Sequence, residues 1–231
     1  MQKEQIANYP MVNPTPIVLV GTELEGRANF TTVGAFGVVC LKPIYYVSLK
    51  NSHRSTAGVR ESGFFSVNLP SADMVQMTDY CGMVSGSDVD KSALFDVFYN
   101  ERGKAPMIKE SPMNYLCKVV DQHEIEGFTV FFGEIIATFV NENCMTDGKP
   151  DPLKINPCLT MGITYYSLGH PIGKVFQDGS HYRRKGSLIH MQIIVKKPTE
   201  AEKQSMQRQP IWTCGVSEFD WYYDSEEIKT V

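Results

Sequence analysis

The sequence predicts a mainly β protein, a β-barrel with a few short helices. Runs rich in β-branched and aromatic residues recur at 16–21, 30–40, 44–50, 63–69, 114–123 and 128–141, most of them bounded by Gly, Pro, Asn or Asp. Long helical periods are scarce, and many short strands with few helices are the pattern of a barrel. At 231 residues, 42% hydrophobic and 21% charged, the chain can bury one full-sized core, or one domain with an appendage.

Taken in order, the first strand is the apolar run Pro16-Ile17-Val18-Leu19-Val20. The polar loop Gly26-Arg27-Ala28-Asn29-Phe30-Thr31-Thr32 follows it and leads into the small-residue run Val33 to Val39. The strand over 44–50 ends in the turn Ser48 to Thr56, after which the pattern predicts a helix over 55–62, capped at Ser55 or Thr56. A second helix is expected over 71–81, with Ser71 as cap and Met74, Met77 and Tyr80 inward. A third is expected over 90–99, with Leu94, Val97 and Phe98 inward. The acidic, Gly- and Pro-rich stretch 141–152 reads as a turn without a helix and lacks EF-hand spacing. Tyr165 and Tyr166 read as core or interface packing.

The formal net charge of −4 gives no general attraction to nucleic acid or anionic lipid, and Arg183-Arg184-Lys185 reads as a solvated turn. Six cysteines, at 40, 81, 117, 144, 158 and 214, form neither Cys-x-x-Cys nor zinc-ligand spacing, so no metal is expected. Cys40 and Cys117 read as small core residues, as does Cys81 despite its place beside the Gly82 loop. The first residues lack the apolar region of a signal peptide, and no run approaches membrane-spanning length. A reducing cytoplasm is therefore the expected compartment.

Three clusters carry chemistry. Ser48-Leu49-Lys50-Asn51-Ser52-His53-Arg54-Ser55-Thr56 packs three basic side chains and several hydroxyls ahead of a helix. A phosphate dianion needs those charge-assisted donors together with free N–H groups at a helix N-terminus. The loop Asn29-Phe30-Thr31-Thr32 places an amide, two hydroxyls and a ring at the lip of a strand, which suits the edge of a planar heteroaromatic ligand. In the third, Ser85-Gly86 forms a tight loop, and Lys91 can add a cation to the same anion.

In this order the clusters resemble the flavin reductase-like family of FMN-binding split-barrel proteins, which includes flavoredoxin and NAD(P)H:flavin oxidoreductases. The features that carry the resemblance are Asn13-Pro14-Thr15-Pro16, Gly26-Arg27 with Asn29 to Thr32, Lys42-Pro43, Arg54-Ser55-Thr56, Glu61 to Pro70, Ser85-Gly86 with Asp90-Lys91, and Phe132-Gly133-Glu134-Ile135. It spans about 10 to 180 and departs at Ser92, where many members carry Phe. It implies a split barrel that binds FMN. Asn29, Phe30, Thr31 and Thr32 would line the ring, and Ser48, Leu49, Lys50, Ser52, His53 and Thr56 would hold the ring edge, ribityl chain and phosphate. Ser85 and Lys91 would assist them. The flavin N5 would carry the chemistry, so no catalytic side chain is expected. NAD(P)H would be the transient donor, free flavin or another compound the acceptor, and a homodimer the assembly.

No Gly-x-Gly-x-x-Gly fingerprint marks a dinucleotide site, so the preference between NADH and NADPH leaves no trace. An electron carrier serving protein partners, a pyridoxamine-phosphate-oxidase-like enzyme and a non-catalytic module for planar ligands stay open at this point. The expected domain covers residues 1–186. The remainder, 187–231, holds both tryptophans, Trp212 and Trp221, and resembles the start of a small cupin without its later strands and metal ligands. That tail is expected to be accessory.

Overall fold

The computed structural model describes residues 1–6, 8, 13–40, 42–175 and 178. The chain divides after Leu168 into two units, and the first carries the fold described below. The expected boundary at 186, the tail and both tryptophans lie outside the described residues.

The strands are β1 (Thr15–Pro16), β2 (Val18–Leu24), β3 (Arg27–Val33), β4 (Phe36–Cys40) and β5 (Ile44–Lys50). Helix α1 (Arg54–Ser62), β6 (Phe64–Leu69) and α2 (Val75–Met83) follow. Then come β7 (Val97–Asn100), β8 (Gly103–Ile108), β9 (Met113–Ile125), β10 (Phe128–Val140), β11 (Met145–Thr146) and β12 (Lys149–Pro150). Helix α3 (Pro152–Ile155), β13 (Leu159–Met161) and β14 (Thr164–Tyr166) complete the described elements.

Seven strands form one antiparallel sheet in the order β3-β2-β6-β9-β10-β5-β4. Strands β3 and β4 lie at its opposite edges, yet only Gly34 and Ala35 separate them in sequence. Two residues cannot cross a flat sheet of seven strands spaced about 4.8 Å apart. The sheet must therefore curl until its edges come near, and with no ladder joining β3 to β4 it stays a split barrel. The carbonyl of Ala35 already accepts from the Ser48 N–H of β5 at 2.9 Å.

The main core fills the concave side, with Val18, Val20, Val47, Leu49, Phe65, Val67 and Phe131 fully or almost fully buried. Val59 brings α1 into that core. A Cβ on Gly58 would lie 2.7 Å from the Glu23 carbonyl, so the helix seats this close to β2 only because residue 58 has no side chain. A second core joins Leu19, Phe30, Met74, Cys81, Phe95 and Ile108 beneath α2. Between the layers, Asn68 donates to the carbonyl of Leu19 and accepts from the N–H of Ile108 and from Asn114 Nδ2, at 2.8 to 3.0 Å. This buried amide pair ties β8 to β2, β6 and β9.

Several expectations are corrected. The run 30–40 is two strands, because the Gly34-Ala35 break sends its halves to opposite edges. Strand β8 was not anticipated. The helix expected over 90–99 is a 3₁₀ turn, Lys91–Leu94, followed by β7. Asp90 starts that turn by accepting from the Ser92 N–H, and the Val-Phe-Tyr run then pairs with β8. Phe95 is inward instead of Leu94. Ser71 makes no side-chain cap, and Tyr80 is exposed on the outer face of α2. The 141–152 stretch holds a small hairpin and leads into α3, capped by Asp151, which accepts from the Leu153 N–H at 2.9 Å. Cys40 is exposed, because β4 is an edge strand, whereas Cys117 and Cys81 are buried. Tyr165 donates to Asp79 Oδ1 at 2.9 Å, and Tyr166 is exposed.

Candidate functional site

The first turn of α1, the start of β3, the end of β5 and the loop over 85–91 meet in one region. Helix α1 begins at Arg54 with His53 in the N-cap position and no side-chain cap; the Thr56 N–H donates to the His53 carbonyl at 3.1 Å, which leaves the Arg54 and Ser55 N–H groups for a ligand. The expected caps therefore do other work inside the first turn. Thr56 donates its hydroxyl proton to the Lys50 carbonyl at 2.7 Å, and Ser55 Oγ accepts from Asn29 Nδ2 at 2.9 Å. Arg54 reaches back to the β2–β3 turn, donating to the Leu24 carbonyl at 3.0 Å and pairing with Glu25 at 3.3 Å.

Positive charge gathers at this helix end. His53 is held below the usual imidazole range, first by desolvation and then by Lys50 and Lys91, so both ammonium groups act on the same ring. Lys91 is only 3% exposed, and its Nζ donates to the Cys81 carbonyl at 2.7 Å. Burial lowers its pKa, and among the described residues no carboxylate pairs with it. Like charges collected around an uncapped helix N-terminus cost free energy unless an anion answers them. Burial pushes the Cys81 thiol up to about 11, which makes it a packing group and not a nucleophile.

Strand alternation divides the predicted ring-lining loop. Asn29 and Thr31 share the face of Val33, toward the main core, whereas Phe30 and Thr32 face α2. The Phe30 ring is fully buried, edge-on to Phe95 at a centroid distance of 5.4 Å, so its side chain is core. Thr32 gives its hydroxyl to the Thr78 carbonyl. Leu49 likewise has its side chain in the main core, while Ser48 and Lys50 point to the other face of β5. From Phe30, Thr32 and Leu49 only backbone groups could meet a ring, and β3, as a sheet edge, has such groups unpaired along one side.

Ser52 and His53 are exposed at the turn. Ser85 is exposed and opens its own turn, with Oγ accepting from the Ser87 N–H at 3.1 Å. Gly86 lies against Asn29, where a Cβ would come within 2.1 Å of Oδ1. A cleft of about 80 Å³ opens among Arg27, Asn29, Arg54 and the 86–90 loop. That is well below the roughly 300–1,000 Å³ of a pocket enclosing a whole ligand, so a ligand of cofactor size would extend along open surface.

Sequence reasoning gave Asn51 no role of its own, and it read Ser55 as a cap or a member of the anion cluster and not as the partner of Asn29. The Asn51 N–H donates to the Gly127 carbonyl at 2.9 Å, and its Oδ1 accepts from Thr129, which also accepts from Arg60 at 2.9 Å. These bonds clip the turn to the β9–β10 hairpin. Their only sequence signal is an Asn before the helix, since their partners lie about 80 residues downstream.

The chain is thus an antiparallel split barrel with a helix N-terminus beside a free strand edge. Residues 11–163 match the family described as "Flavin reductase like domain", and the chain belongs to that family. Among solved structures it is similar to flavoredoxin from Methanosarcina acetivorans, with 41% identity and a TM-score of 0.75 over 78% of this chain and 99% of that one. Flavoredoxin of Desulfovibrio vulgaris (Miyazaki F) is 31% identical, with a TM-score of 0.72 over 77% of this chain and 100% of that one. An uncharacterised protein of Archaeoglobus fulgidus is 30% identical over 107 residues, 46% of this chain and 60% of the relative's length.

Proposed function

We propose that this chain binds FMN and passes electrons from NAD(P)H through it to free flavin or another acceptor. The observation that carries the reading is the α1 N-terminus without a side-chain cap, where Lys50 and Lys91 both lower the pKa of the N-cap His53. This donor set fits a phosphate monoester. The Lys50 to Thr56 turn and Lys91 would hold the phosphate, and Ser48 and Lys50 would stand beside the ribityl chain. The free edge of β3, with Thr31, would meet the polar rim of the ring. Bound FMN would supply the redox chemistry. The protein's part is to bind it, orient it and place donors where reduced flavin gathers negative charge.

A homodimer in the cytoplasm is part of the proposal. Residues 120–125 of β9 are exposed on both faces, with Val120, Ile125 and Phe128 among the exposed apolar side chains. An uncovered hairpin arm of this kind fits a second copy of the chain. The same hairpin is clipped to the Lys50 to Thr56 turn through Asn51, so a partner seated there would lie close to that turn. The five described cysteines are free thiols, in keeping with a reducing compartment. A second reading, an electron carrier serving protein partners, is favoured by the similarity to two flavoredoxins.

The test is the visible spectrum and FMN stoichiometry of the purified protein, followed by steady-state oxidation of NADH and NADPH with FMN, FAD, riboflavin, ferric chelates and cytochromes. Near-stoichiometric FMN with nicotinamide turnover supports the reductase. FMN without turnover selects the carrier, and no flavin binding overturns both. Sedimentation over a dilution series tests the dimer, which a flavin-loaded monomer at every concentration would reject.

A further inference from the structure

In β3 and α1, Asn29 and Ser55 are both buried, at 4% and 2% exposure, and Asn29 Nδ2 lies 2.9 Å from Ser55 Oγ. They join the two halves of the candidate site, because β3 supplies the free strand edge and α1 the uncapped N-terminus. We propose that Asn29 is a positioning residue whose bond to Ser55 fixes the distance and angle between the ring-binding edge and the phosphate-binding helix end.

The surroundings favour such a joint. Thr56, the other hydroxyl of the first turn, is spent on the Lys50 carbonyl and fixes the helix to β5 instead. Arg54 fixes it to the β2–β3 turn. Asn29 alone connects the first turn to the body of β3 by a side-chain bond. Its amide is held from behind by Gly86, whose missing side chain leaves the space in which Oδ1 sits. That oxygen is buried with no partner, so among the described residues the bond to Ser55 is the one hydrogen bond the amide makes. A ligand that spans both halves gains from the joint, because linked subsites act together only when their separation matches the ligand. Riboflavin or inorganic phosphate, each touching one half, gains nothing from it.

This inference rests on the FMN reading, and the experiment separates the two. Dissociation constants for FMN, riboflavin and inorganic phosphate, the last by competition with FMN, are measured on the full chain and on N29A, S55A, S55T and N29A/S55A. In each variant FMN should bind roughly tenfold more weakly than in wild type, the scale of one lost buried hydrogen bond. The exception is S55T, which keeps the hydroxyl and should keep the affinity. Riboflavin and phosphate should stay within about twofold, and the double variant should be no worse than either single one. Equal losses for FMN and riboflavin, a loss for phosphate alone, or additive effects of the two substitutions would overturn the joint. Wild-type protein that binds no FMN would overturn the FMN reading itself.

Discussion

The ammonium of Lys91 lies 2.7 Å from the carbonyl oxygen of Cys81, in the last turn of α2, and is almost completely buried there. A helix C-terminus is a favourable place for a cation, but one carbonyl does not replace the hydration that a lysine loses. We therefore expect Lys91→Met to leave the apo protein at least as stable as wild type. FMN should bind about tenfold more weakly to it, with little change for riboflavin. Thermal melts with and without each flavin check both halves. A variant that unfolds would instead make Lys91 a structural cation.

His53 gives a pH signature. Its folded-state pKa lies below the ordinary value, so the unfolded chain binds its proton more readily than the native one. Stability from this group is therefore present above the unfolded pKa of about 6.5 and is lost progressively as pH falls from there through the lower folded-state value. In apo protein, His53→Gln should melt higher than wild type near pH 5 and alike near pH 8. The gap should be modest, because the side chain is exposed. Saturating FMN should shrink it, since a bound phosphate favours the charged imidazole. A gap unchanged from pH 5 to 8 would remove His53 from the cation cluster.

The divided faces of β3 predict opposite results for neighbouring threonines. Thr32→Val loses its bond to the Thr78 carbonyl and should cost about 1 kcal/mol of stability with the flavin potential unchanged. Thr31→Val should shift flavin affinity or potential with the smaller cost in stability. Denaturant titration and spectroelectrochemistry separate the two, and a potential shift confined to Thr32→Val would reverse the assignment of faces.

Phe30 belongs to the core and should behave as such. Phe30→Ala should destabilise by about 3–5 kcal/mol, as large-to-small changes of buried aromatics do. Phe30→Leu should recover most of that and bind flavin normally. Full stability with weakened flavin binding in Phe30→Ala would return the ring to the site.

Asn68→Ala should be among the most damaging polar substitutions. It removes the acceptor of the Ile108 N–H, one of the two acceptors of Asn114 Nδ2 and a donor to the Leu19 carbonyl, all in a fully buried layer. Each stranded group costs about 1–3 kcal/mol, so urea unfolding should show a loss of at least about 2 kcal/mol. A loss below 0.5 kcal/mol would mean that water replaces the amide.

The β class, most strands and the polar turn before α1 were legible in the sequence because each rests on local pattern. Alternation and turn residues mark strands, and basic and hydroxyl residues packed before a helix mark an anion site. The ordered motifs also carried the family. Only the tertiary structure decided which of those residues work together. The break at Gly34-Ala35 looks like one more strand irregularity, yet it sends β3 and β4 to opposite edges and leaves β3 free beside α1. Which of Asn29, Phe30, Thr31 and Thr32 faces which layer depends on where α2 packs, and no local rule reveals that. The bonds of Asn29 to Ser55 and of Thr129 to Asn51 join residues 26 and 78 positions apart. Side-chain chemistry is written locally, whereas the site is made by long-range pairing of strands, whose register is set by burial across the whole sheet.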